Sequence, residues 1–115
     1  MSNVEQTILR HIITEESYMR KVLPFIKPEY FEGVYNQLFK ELARFVAKYN
    51  KLPTMDAFKI EIDHSDKFNT DQYTAAMEIL PNIFDGSIAK ADQEWLLDTT
   101  EKWCQDRAIH NAIIE

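Results

Sequence analysis

From Val34 to Tyr49 apolar side chains recur every three or four residues. Drawn at about 100° per residue, Val34, Tyr35, Leu38, Phe39, Leu42, Phe45, Val46 and Tyr49 share one side of a helix, with Asn36, Gln37, Lys40, Glu41, Arg44 and Lys48 opposite. The stretch predicts an amphipathic helix of about 17 residues, roughly 25 Å long, broad enough on its aromatic side to meet helices in two directions. It is expected to be the spine of a small helical core. Upstream, Val4, Ile8, Leu9, Ile12 and Ile13 repeat at helical spacing behind Ser2 and Glu5, which have the spacing of a capping box. A helix beginning almost at Met1 leaves no room for a leader. Thr14 is placed to cap a second short helix, with Glu15 and Glu16 in its first turn and Tyr18, Met19 and Val22 inward. That helix should stop by Leu23, which Pro24 biases toward an extended conformation.

Pro28 to Phe31 reads as a single helical turn, separated by Gly33 from the spine. Asn50 and Pro53 end the spine, and Thr54 caps a helix from Met55 to about Asp63 with Phe58 and Ile62 inward. Asp63 to Asn69 is a polar connector with Phe68 tucked back. Thr70 and Asp71 open a further helix carrying Tyr73, Met77 and Leu80, which Pro81 should end or kink. Asp85, Gly86 and Ser87 form a loop, and from Asp92 a long helix runs to the last residue. Its face of Trp95, Leu96, Thr99, Trp103, His110, Ile113 and Ile114, and a second line of Leu97, Cys104 and Ala108, imply two neighbours. Trp95 and Trp103 are assigned to the domain's own core. Because helical periodicity persists through Ile113 and Ile114 without a stop signal, the chain reads as a fragment cut inside a helix. The expected fold is all-α, six or seven helices in one domain, with Ile8, Ile12, Phe31, Leu38, Phe39, Leu42, Phe45, Val46, Trp95 and Trp103 in the core.

Composition narrows this reading. A chain of 115 residues, 45% hydrophobic and 12% aromatic, suffices for one core without metal or disulfides. Two glycines and four prolines disfavour a turn-dense β fold, and one cysteine excludes an internal disulfide framework. No secretory apolar segment or 18-residue apolar run occurs. The net charge is −6, unevenly spread: residues 1–53 carry eight Lys/Arg against six Asp/Glu, and residues 54–115 five against thirteen. Such a balance makes direct nucleic-acid binding unexpected, since phosphate affinity rests on clustered cations, and it favours a protein partner.

Chemistry is sparse. Neither Gly33 nor Gly86 lies in a phosphate-wrapping loop, so ATPase activity is not expected of this chain. His11, His64 and His110 have no metal-ligand spacing with Cys104. Asp63 and His64 read as a solvated turn before any acid–base pair, and Asp106 with His110 as a helix-surface pair. Lys40, Arg44, Lys48 and Lys51 align along the spine. The ordinary reading is a solvated face, and the functional one is a docking stripe for an acidic surface, including the acidic half of another copy.

The order of these features carries a resemblance. Glu5-Gln6 leading into Ile8-Leu9, IKPEYF at Ile26 to Phe31, Leu38-Phe39 within an amphipathic helix, and LPTMDAF at Leu52 to Phe58 together resemble the N-terminal domain of DnaB-type replicative DNA helicases. The likeness is greatest to the T-even-type bacteriophage branch, and Gln93 to Ala112 looks like the last helix of that domain's globular head. The chain departs from the bacterial pattern at Arg10, where that pattern has glycine, and at Tyr30-Phe31, where it has an Asp-Phe pair. The resemblance implies a non-catalytic assembly and docking domain of a hexameric ring helicase that acts in the cytoplasm of an infected bacterial host. Its partners would be primase, a helicase loader and other copies of the helicase, with no membrane involved. ATP and magnesium are expected only in a C-terminal RecA-like motor domain absent from these 115 residues. No primase-contact residue carries over, and Ile109, Ile113 and Ile114 are the candidates for a surface covered by the following hairpin or a neighbouring subunit. The alternative is a free-standing helical regulator that binds such a helicase. A gene continuing into a Walker A sequence would distinguish the first from the second.

Overall fold

The first helix is the most enclosed part of the molecule. In the computed structural model, which describes residues 4–87 and 91–114, α1 (Val4–Thr14) buries Ile8, Leu9, Ile12 and Ile13 completely or nearly so, with His11 beside them. It packs against α2 (Glu16–Val22), α3 (Val34–Tyr49) and α5 (Thr70–Ile83). A helix buried on three sides needs apolar residues beyond a single stripe, and IleIle at 12–13 after IleLeu at 8–9 supplies them. The expected spine, α3, spans sixteen residues against the roughly 17 expected and runs beside α1, touching α4 (Met55–His64), α5 and a 3-10 turn (Pro28–Tyr30). The last helix, α6 (Gln93–Ile114), lies across α2 and the 3-10 turn. The fold is all-α as expected, with six α-helices and the 3-10 turn among the described residues.

Aromatic rings join the 3-10 turn to its neighbours. Phe31 stacks on Phe39 of α3 at 5.0 Å between centroids and meets Trp103 of α6 at 4.8 Å, while Tyr30 meets the same indole edge-on at 6.0 Å. Ile8, Ile12, Phe31, Leu38, Phe39, Leu42, Val46 and Trp103 lie in the one buried cluster, and Phe45 is buried at its margin against Tyr49.

Several local expectations are corrected. Thr14 ends α1 instead of capping α2: its hydroxyl donates to the Arg10 carbonyl, and Glu15 takes the extended N-cap position. Leu23 stays right-handed helical despite Pro24, because its N–H bonds the Met19 carbonyl and the continuing turn brings Ile26 into the core. Thr70 opens α5 as expected, and Asn69 before it is the N-cap, in a reciprocal capping box with Gln72. That helix buries Ala76, Leu80 and Ile83, leaving Tyr73 at the rim. Pro81 neither ends nor is followed by a break in α5, which continues to Ile83. Burial of Ile83 and the Phe84 N–H bond to the Leu80 carbonyl offset the one hydrogen bond proline removes. The Ser2 capping box lies outside the described residues, as does the side chain of Ile114.

Candidate interaction surface

On α6 the inward face is Leu96, Thr100, Trp103 and Cys104, a narrower stripe than expected. Trp95, assigned to the core from its apolar character, is 53% exposed. It lies one residue, about 100°, off that stripe, and the Asp92 carboxylate accepts its N–H to begin the helix. Ala108 is exposed, so the second apolar line stops at Cys104, and His110 of the first face is exposed as well. Ile109 and Ile113 are 60% and 76% exposed, facing solvent on the final turns. Burial stops where polar anchors take over: Arg107 donates to Glu5 of α1 at 3.1 Å and to Glu32 at 2.7 Å, and Asn111 donates to the Glu29 carbonyl at 3.2 Å. Asp106 pairs with Lys102 at 3.6 Å rather than with His110.

The four spine cations divide by environment. Arg44 is engaged within the fold, its Nη2 lying 2.7 Å from the buried Glu41 carboxylate and 3.2 Å from Glu61 on α4. The hydrogen bond and charge of Glu41, then Glu61, hold the guanidinium even more firmly protonated than usual. The side chain therefore clamps α3 to α4, with its charge largely compensated. Lys40 borders a polar groove of about 630 Å³ shared with Gln37, His64, Asp66 and Lys67. Lys48 sits 5.2 Å over the Tyr49 ring, and Lys51 borders a second groove of about 520 Å³ with Phe45, Tyr49, Leu52 and Ala57. The stripe is thus one internal clamp and three exposed lysines on separate features.

Sequence reasoning missed a further groove, about 390 Å³, between α2 and α3, lined by Met19, Arg20, Leu23, Pro24 and Val46. Arg20 is fixed at its rim by donating to the Asn50 side chain at 3.2 Å and to the Asn50 carbonyl at 3.0 Å, where the backbone turns left-handed and ends α3. Phe25, 45% exposed, and Tyr49, 44% exposed, stand on the adjoining segments. The signal was present in LeuProPhe at 23–25, three apolar residues beyond the end of a helix, but nothing local showed that α3 would pass beside them.

Catalytic chemistry has little to work with. Asp63 accepts the Tyr73 hydroxyl at 2.6 Å, which ties α4 to α5, and His64 borders the polar groove. The buried His11 donates from Nδ1 to the Thr7 carbonyl and accepts the Ala91 N–H at Nε2, so its ring joins α1 to the start of α6's approach. Among the described residues no group of three or more His, Cys, Asp or Glu is placed to hold a metal ion, and no helix is long and apolar enough to cross a membrane.

Fold and surface together describe a small all-helical domain with grooves and exposed apolar side chains on its described surface. The chain is similar to a DnaB-like replicative helicase of Enterobacteria phage T4, with 32% identity over 108 residues that cover 93% of this chain. It spans about a fifth of that relative, 22% of its length. The resemblance carried by the motifs is therefore matched by an alignment along nearly the whole chain. No family model matches.

Proposed function

We propose that this chain is an assembly and docking domain of a phage replicative DNA helicase, working in the infected bacterial cell as a head that helps copies of the helicase gather and receives primase or the helicase loader. The observation that carries the reading is the 32% identity along 93% of the chain to a replicative helicase of which it spans only 22%. The all-helical packing supports it, since the described surface offers grooves and exposed apolar side chains more readily than a reaction centre. The proposed mechanism is recruitment: heads held together on a ring raise the local concentration of a partner, and affinity multiplies with the number of heads engaged. ATP hydrolysis and magnesium binding belong in this proposal to a motor elsewhere in the helicase.

The test is the mass in solution of the 115-residue chain, by light scattering, alone and mixed with the cognate primase or loader. A complex with either partner is the expected result. A chain that joins neither would remove the docking role and leave a passive spacer.

A further inference from the structure

We infer that copies of this chain meet head to tail, the exposed Trp95 of one copy entering the α2–α3 groove of the next. The inference rests on the assembly reading for its setting and names the contact that reading lacks. Two observations carry it. Trp95 is a large apolar side chain left 53% exposed at the start of α6, framed by Asp92, Glu94 and Asp98, and among the described residues no cation is ion-paired with those three carboxylates. The groove, about 390 Å³, has an apolar floor of Met19, Leu23 and Val46 and a basic edge. Arg20 forms that edge, held in place by its bonds to Asn50, and Lys21 follows it on α2. Glu16 meets Arg20 at 3.6 Å, which leaves the edge still basic.

An apolar knob in an acidic frame and an apolar groove in a basic frame are complementary in both shape and sign, on one chain but on different elements. A single molecule leaves Trp95 exposed, so the two can satisfy each other only between copies. A contact that joins two different patches is heterologous: it propagates from copy to copy, closing into a ring when the rotation permits. Charge fixes the register, and burial of an indole supplies most of the attraction. Single-stranded nucleic acid fits the groove less well, because its lining of Met19, Arg20, Leu23, Pro24 and Val46 offers no aromatic ring for a base to stack on.

One knob makes a weak contact, so the test uses sedimentation of the 115-residue chain up to about 1 mM. Reversible association is expected, weakening as salt rises. Trp95→Ala and Leu23→Glu should each weaken it at least tenfold. Mixed together, the two variants should form a one-to-one pair, since one keeps the groove and the other the knob. Arg20→Glu, at a half-exposed position, repeats the groove test should Leu23→Glu fail to fold. Tryptophan emission should shift to the blue on association. The chain has two tryptophans and Trp103 is already buried, so Trp95→Phe should abolish the shift. A mixture that stays monomeric, or a Trp95→Ala chain that associates like the parent, would overturn the contact. A monomeric parent that nevertheless captures primase or loader would sink this inference and leave the docking role standing. Complementation without capture of either would do the reverse.

Discussion

Gly33 sits at φ 57°, ψ −134°, a backbone conformation that residues with a Cβ avoid, and it is the point at which the chain turns from the aromatic 3-10 segment into α3. A Cβ built there meets nothing within 4 Å, so the cost of Gly33→Ala is backbone strain alone. Thermal or urea unfolding should show a loss of about 1–3 kcal/mol. An unchanged midpoint would mean that the turn has another conformation. Tyr18 gives a second residue-scale test. It is fully buried, and its hydroxyl donates to Thr100, whose own hydroxyl donates to the Leu96 carbonyl. Burial pushes the phenol up to about 12 from an ordinary 10.0. Below pH 10 the phenol is neutral in both folded and unfolded chains, and its contribution is complete. As pH rises from 10 to about 12 the unfolded chain ionises first, so folding stability falls by about 1.4 kcal/mol per pH unit from this group. Burial of the Cys104 thiol, pushed up to about 11 from 9.0, adds a loss of the same sign over pH 9 to 11. Tyr18→Phe should be less stable than the parent at neutral pH by about 1 kcal/mol, and the gap should narrow or reverse above pH 10. Urea midpoints that stay parallel across the alkaline range would contradict the buried phenol.

At the scale of elements, α6 is held by apolar contact from Leu96 to Cys104 and, past that, by an ion-pair network at Arg107. Arg107 bridges Glu5, whose side chain is 13% exposed, and Glu32, which is 68% exposed. The Glu5 carboxylate also accepts the Glu32 N–H, and burial nonetheless raises its pKa above the usual value. Arg107→Ala would leave that half-desolvated carboxylate without its cation, costing about 1–3 kcal/mol. A double-mutant cycle should find coupling of roughly 1 kcal/mol or more between Arg107 and Glu5, and roughly 0–0.5 kcal/mol between Arg107 and the solvated Glu32. Equal couplings would show that the network is surface charge alone. Why the sequence hid this network also explains what else it hid. Features closed within one turn were legible: the α3 period, the Thr54 cap that accepts the Ala57 N–H, the left-handed stop at Asn50 and the Phe58–Ile62 pair. Arg107 and Glu5 are brought together only by tertiary packing, as are Arg44 with Glu61 and the two walls of the α2–α3 groove. Trp95 was misread because hydrophobicity states what a side chain gains by burial, whereas its angular position on α6 decides whether burial is on offer.

For the whole molecule, stability is graded from α1 outward. The three completely buried side chains Ile8, Leu9 and Ile12 place α1 at the centre of the core, and its amides can exchange with solvent only when the core itself opens. Beyond Arg107, Asn111 of α6 donates to the Glu29 carbonyl, while Ile109 and Ile113 face solvent. The final turns of α6 have little apolar burial to resist local opening. Hydrogen exchange should therefore find α1 protected to the limit of global unfolding and the amides of residues 108–113 exchanging orders of magnitude faster. Ile12→Ala should cost about 2–5 kcal/mol and speed exchange everywhere, whereas Ile113→Ala should change global stability by less than about 0.5 kcal/mol. The same gradient gives the proposed contacts their energetic logic. A helix end that contributes little to its own fold can be ordered or covered by a neighbour without disturbing the core, and a bound neighbour reads out as slowed exchange confined to that end. If residues 108–113 exchange as slowly as α1 in the isolated chain at low concentration, the end of α6 is already held by this fold and has no vacancy for another surface to fill.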